Sequence, residues 1–142
     1  MKTEGRLAAI DVGRRRVGIA RTDLLQLSPN TVGTFEPDEA IDELVRQVEE
    51  EGVTGIVTGW PLTPDGREGE ATQMVESFVR RLKKKLPDCP IRYVDERYTS
   101  REAVDQLVRS GVPKKKRRQK GRIDRAAAAI ILQQFLDSDQ EI

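Results

Sequence analysis

Hydrophobic and polar positions change rhythm several times along the chain, and each change marks an element. Residues 6–12 (RLAAIDV) are almost continuously apolar, the pattern of a central strand. Beyond Gly13 and three arginines, residues 17–22 form a second β-rich run, and so short a connection predicts a hairpin. Residues 31–35 read as a third strand, reached through the turn-forming Ser28, Pro29 and Asn30. The period then becomes helical. Ile41, Leu44, Val45 and Val48 share one face, acids crowd the first turn where the helix dipole favours them, and Gly52 can end the helix. Residues 53–58 read as a fourth, buried strand. The stretch GWPLTPDGREG reads as a loop, and Ala71, Met74, Val75, Phe78 and Leu82 mark a second helix that ends near Lys83, Lys84 and Lys85. Residues 91–94 are a fifth strand. Thr99 and Glu102 have capping-box spacing for a helix through Ala103, Val104, Leu107 and Val108, which Gly111 and Pro113 stop. In a last helix Ile123, Ala127, Ile130, Ile131 and Phe135 share a face.

A hairpin-linked trio of strands followed by alternating helices and strands predicts an α/β chain with a five-stranded mixed sheet, antiparallel at one side, parallel at the other and flanked by helices. This is the element order of a ribonuclease H-like fold. No repeat, low-complexity tract or linker interrupts it, so residues 1–142 are expected to form one domain.

Composition narrows the chemistry. The chain has no histidine, which excludes Ser-His-Asp triads, Cys-His pairs and histidine-ligated zinc. Its single cysteine, Cys89, cannot form an internal disulfide. No apolar run approaches a membrane span and the N-terminus lacks a signal-peptide core, so the expected location is cytoplasmic, with no membrane partner. The formal net charge of +1 hides a strong asymmetry. Residues 36–51 carry eight acids against Arg46 alone, a net of −7; residues 112–125 carry eight basic residues against Asp124, a net of +7.

Three carboxylate positions stand out. Asp11 ends an apolar strand, where a carboxylate is costly to bury unless paired or bound to a cation; it could also hydrogen-bond the turn at Gly13. Asp124 falls on the wheel between Ala127, Ile131 and Phe135, on the apolar face of the last helix; the alternative is a helix-start acid paired with an arginine. Asp95 and Glu96 follow the fifth strand, and because neighbours in a strand point to opposite faces, at most one of them shares the face of Asp11 while the strand continues. Either could instead pair with Arg97 or Arg101 at the surface. Three such carboxylates converging at one sheet edge would suit Mg²⁺ or Mn²⁺ and histidine-free phosphodiester hydrolysis.

The basic run Lys114, Lys115, Lys116, Arg117, Arg118, Lys120 and Arg122 lies beside Asp124, and Arg14, Arg15 and Arg16 directly follow Asp11. Both groups are expected to contact nucleic-acid phosphates, the main source of sequence-independent affinity; a solvated loop is the other reading of the longer run. Aromatic residues make up only 4% of the chain, too few for an extended stacking platform. Trp60 either stacks on a base at the site mouth or packs beneath its own loop.

The strings DVGRRRVGIARTD, GWPLTPDGREGEAT, DERYTSREA and KGRIDRAAAAIILQQFL, in this order and over nearly the whole chain, resemble the YqgF family of Holliday junction resolvase-like nucleases, also known as pre-16S ribosomal RNA nucleases. The resemblance implies a ribonuclease H-like fold, a cytoplasmic location and maturation of the 5′ end of small-subunit ribosomal RNA. It carries over Asp11, Glu96 and Asp124 as metal-binding catalytic acids, and it is the chief reason to prefer Glu96 to Asp95. Arg15 departs from the lysine more usual there, with charge kept. The expected function is therefore a Mg²⁺- or Mn²⁺-dependent endonuclease on structured RNA. The alternatives are a resolvase of four-way DNA, whose two-fold substrate suits a homodimer, and an RNA-binding assembly factor that cuts nothing.

Overall fold

The computed structural model describes residues 5–63, 65–95 and 120–138, with backbone alone for 120–126. Within them the chain runs β1 (Arg6–Val12), β2 (Val17–Thr22), β3 (Pro29–Phe35), α1 (Pro37–Glu50), β4 (Val53–Trp60), α2 (Glu70–Lys85), β5 (Ile91–Asp95) and α3 (Lys120–Asp137). The strands form one sheet in the order β3-β2-β1-β4-β5. The pairs β1/β2 and β2/β3 are antiparallel, while β1/β4 and β4/β5 are parallel. Hairpins join antiparallel neighbours and helical crossovers join parallel ones, so the order of elements along the chain already implies this division.

Strand alternation builds two cores. Ala8, Ile10 and Val12 of β1 join Ile19, Leu44, Ile56, Val75 and Phe78 beneath α1 and α2. Leu7 and Ala9 turn the other way and pack with Ala20, Val57, Ala128, Ile131, Leu132 and Phe135 beneath α3. Burial on both faces explains why β1 reads as continuously apolar. Ala9 and Ala20 are cross-strand partners, and their small side chains suit close approach by an alanine-rich helix.

The differences from the sequence expectation are local. β3 begins at Pro29, paired with Thr22, rather than at Thr31; at the start of an edge strand a missing N–H does no harm. β4 continues to Trp60 and β5 to Asp95. On α1 the buried face includes the polar Gln47. On α2 Ala71 is exposed and Thr72 is buried in its place. The Thr72 hydroxyl accepts a hydrogen bond from the Gly69 N–H (2.9 Å) and donates to the Gly69 carbonyl (2.8 Å), which removes the penalty of burying it. The expected helix through Ala103, Val104, Leu107 and Val108, with its cap at Thr99 and Glu102, lies outside the described residues.

Candidate active site

Asp11 sits one residue before the end of the central strand, on the same side of the sheet as Leu7 and Ala9, the side that α3 covers. Ile10 and Val12 on either side of it are buried, yet Asp11 is only half-buried. Its partner on β2 is Gly18, which has no side chain to shield it. A carboxylate placed this way keeps its access to solvent or to a cation and escapes full desolvation.

A backbone hydrogen bond closes the hairpin after it. The Gly13 N–H donates to the Arg16 carbonyl at 2.8 Å, and a Cβ on Gly13 would lie 2.8 Å from that same oxygen, so only glycine fits. Arg14, Arg15 and Arg16 occupy the rest of the turn and are exposed, and among the described residues none of the three has an ion-pair partner.

Alternation also decides the face of Asp95, the last residue of β5. Val94 packs with the α3-side core and Ile91 with the opposite one, so Asp95 belongs to the face away from Asp11. Glu96 lies outside the described residues. With β4 between β5 and β1, a ligand supplied beyond β5 must span two strand spacings of about 4.8 Å to meet Asp11. Asp124 falls in α3, where only the backbone is described, as do Lys120 and Arg122; Lys114, Lys115, Lys116, Arg117 and Arg118 lie outside the described residues. Among the described residues no three acids, cysteines or histidines form a metal-binding group, and Asp11 is the one member of the expected trio with a described side chain.

Trp60 has a structural role. Its ring meets Tyr93 edge-on, with centroids 4.9 Å apart, and packs against the α1/α2 core, on the face opposite Asp11. This favours packing over base stacking. In the following loop the Asp65-Gly66 turn forms as expected, with Gly66 at φ 85° and its N–H on the Thr63 carbonyl at 2.8 Å. The Arg67 guanidinium, followed by the Thr63 hydroxyl, holds the Asp65 carboxyl below its ordinary range.

Comparison with known proteins now decides the family. The model of the RuvX family, described as Holliday junction resolvase, matches residues 5–138. The chain belongs to the RuvX family. This is the YqgF family that the sequence motifs resemble, and membership makes the chain a nuclease by class. A protein of Salinibacter ruber named "Putative pre-16S rRNA nuclease" is 47% identical to this RuvX-family chain over 137 residues, covering 96% of each. A Chlorobium luteolum protein of the same name is 43% identical over 140 residues, covering 99% of each. Among solved structures, T. thermophilus RuvC in complex with Holliday junction substrate superposes with a TM-score of 0.54 over 95% of this chain and 96% of that one. At 14% identity this establishes the fold, which is ribonuclease H-like.

Proposed function

We propose that this chain is a divalent-metal-dependent endonuclease that cuts structured RNA and matures the 5′ end of pre-16S ribosomal RNA in the cytoplasm, as one domain spanning residues 1–142. The observation that carries the reading is the position of Asp11: a half-buried carboxylate at the end of the central strand, on the face covered by the helix that contains Asp124. Full-length likeness to relatives named as pre-16S rRNA nucleases supports the choice of substrate.

A half-buried carboxylate opposite a glycine suits a hard divalent ion. Asp11, Glu96 and Asp124 would hold Mg²⁺ or Mn²⁺, which when bound supplies an activated water and charge stabilisation at phosphorus. The chain's own task is then to present the strand. Arg14, Arg15 and Arg16 offer uncommitted charge to phosphates next to Asp11, and Lys114, Lys115, Lys116, Arg117, Arg118, Lys120 and Arg122 extend that grip.

The second reading, a resolvase working as a homodimer on four-way DNA, is favoured by the family description. One experiment separates the two. A pre-16S 5′ leader and a four-way DNA junction are incubated with wild type and Asp11→Asn, in Mn²⁺ or in EDTA. Discrete metal-dependent cuts in the leader that vanish in Asp11→Asn are the expected result. Cuts confined to the junction would replace the reading with the resolvase, and RNA binding without any cleavage would replace it with an assembly factor.

A further inference from the structure

The hairpin turn that carries Arg14 also walls a cleft on the opposite side of the sheet from Asp11. One lobe, of about 340 Å³, lies between Val12, Gly13 and Arg14 of the turn, Pro37 at the start of α1, and Met74, Phe78 and Arg81 of α2. A second lobe of about 530 Å³ shares Arg14 and Met74 and reaches Glu70 and Ala71. Its floor is apolar, with Val12 and Phe78 buried and Met74 half-buried and lining both lobes. Its rim is charged. Arg81 is engaged by Asp38, Glu70 brings a carboxylate, and Arg14 has no ion-pair partner among the described residues.

An apolar floor beside one uncommitted guanidinium matches a nucleotide: a flat ring that lies against a thioether and aliphatic surface, and a phosphate that the arginine neutralises. Glu70 can accept from a base amino group but cannot hold a phosphate, so the arrangement sends the base inward and the phosphate to Arg14. Position links the cleft to cleavage. Val12 lines it and Asp11 precedes Val12 on the other face, so a strand with its scissile phosphate at Asp11 has only the Gly13 turn to cross.

We infer that this cleft between the β1/β2 turn and α2 receives one unpaired nucleotide of the substrate strand, its base on Met74 and Phe78 and its phosphate on Arg14. The inference rests on the nuclease reading and sharpens it: the substrate must offer an unpaired base next to the cut, which a continuous duplex does not.

Equilibrium binding in EDTA tests this without cleavage. A fluorescent single-stranded oligoribonucleotide is compared with a series in which an abasic site is walked along it. For wild type and for Asp11→Asn, one register should weaken binding about tenfold, the scale of one lost base contact. Ser77→Trp fills the cleft from an exposed position of α2 and should bind intact and abasic strands equally weakly. Arg14→Ala should weaken both by the same factor while keeping the difference between them. No sensitive register in wild type, or a difference that survives in Ser77→Trp, overturns the cleft. If RNA is cut in an Asp11-dependent way while either of these holds, the cleft alone falls; if wild type neither binds nor cuts RNA, the nuclease reading falls with it.

Discussion

Arginines gather at both ends of the sheet, and the two groups have opposite lives. At the end where β1 starts, Arg6, Arg21 and Arg46 are all engaged. Arg6 donates to the carbonyls of Glu51 (3.0 Å) and Thr22 (3.1 Å), Arg21 to the Gln47 side-chain oxygen (2.7 Å), and Arg46 to Glu43 (2.7 Å) and Glu51 (2.9 Å). Gln47, 1% exposed, completes the network by donating to Glu43 at 2.8 Å. At the other end Arg14, Arg15 and Arg16 sit exposed on a turn with no ion pair among the described residues. Glu43, Glu50 and Glu51 therefore pair with Arg21 and Arg46 from within the chain, carbonyls hold Arg6, and the turn arginines are left to meet a polyanion. Residue type and clustering are the same in both places. What separates structural charge from binding charge is whether the fold supplies a partner.

The comparison is broken most directly at the turn's end of β1. Asp11→Asn should reduce cleavage of the RNA leader by at least about a hundredfold while RNA affinity stays near wild type, since the loss falls on metal-assisted chemistry and not on phosphate contacts. Gel assays of cleavage and anisotropy of binding, run side by side, check both halves. Next in size is the triple change of Arg14, Arg15 and Arg16 to Ala. The slope of log affinity against log salt should flatten by about 2 units, at roughly 0.7 per phosphate contact to a single strand. Its unfolding free energy from urea titration should stay within about 0.5 kcal/mol of wild type, because no ion pair is lost. An unchanged salt slope would remove the turn from the interface.

The opposite end predicts the reverse. Gln47→Leu keeps the volume but removes the 2.7 Å acceptor of Arg21, leaving it the longer pair with Glu51, and takes the amide donor from Glu43, so stability should fall by about 1 kcal/mol with no change in the salt slope of RNA binding. The smallest effect is on pH. The Arg46 guanidinium first, and the Gln47 amide after it, hold the Glu43 carboxyl below its ordinary value of 4.5. In the fold Glu43 resists protonation, so its contribution is present above that value and disappears as pH falls through the lower folded value. Arg46→Ala should therefore lose less stability than wild type on going from about pH 6 to about pH 3, as chemical denaturation at each pH would show.

Much of this architecture was legible beforehand. β1 and β2 fall where the apolar runs do, and all the helices of the described residues form where the period becomes helical. The misreadings have a common cause. Helical spacing puts the apolar Ala71 on the buried stripe, but Thr72 takes the buried place because its hydroxyl bonds the Gly69 N–H and carbonyl. Gln47 lies outside the apolar stripe of α1, and its burial depends on Glu43 one turn earlier and on Arg21, which only the fold brings within reach from β2. Trp60 was open between two roles because its partner Tyr93 lies on a strand that only the sheet brings alongside.

By itself the sequence determined the order of the described elements, the mixed sheet they imply, the absence of histidine chemistry and the strings that mark the family, because periodicity, composition and short motifs are properties of neighbours along the chain. Only the tertiary structure decided which face of the sheet Asp11 occupies relative to α3, that Asp95 lies on the other face, and which arginines are already spent on acids of the same molecule. Those answers depend on strand order and on contacts between residues distant in sequence, and no local pattern records them.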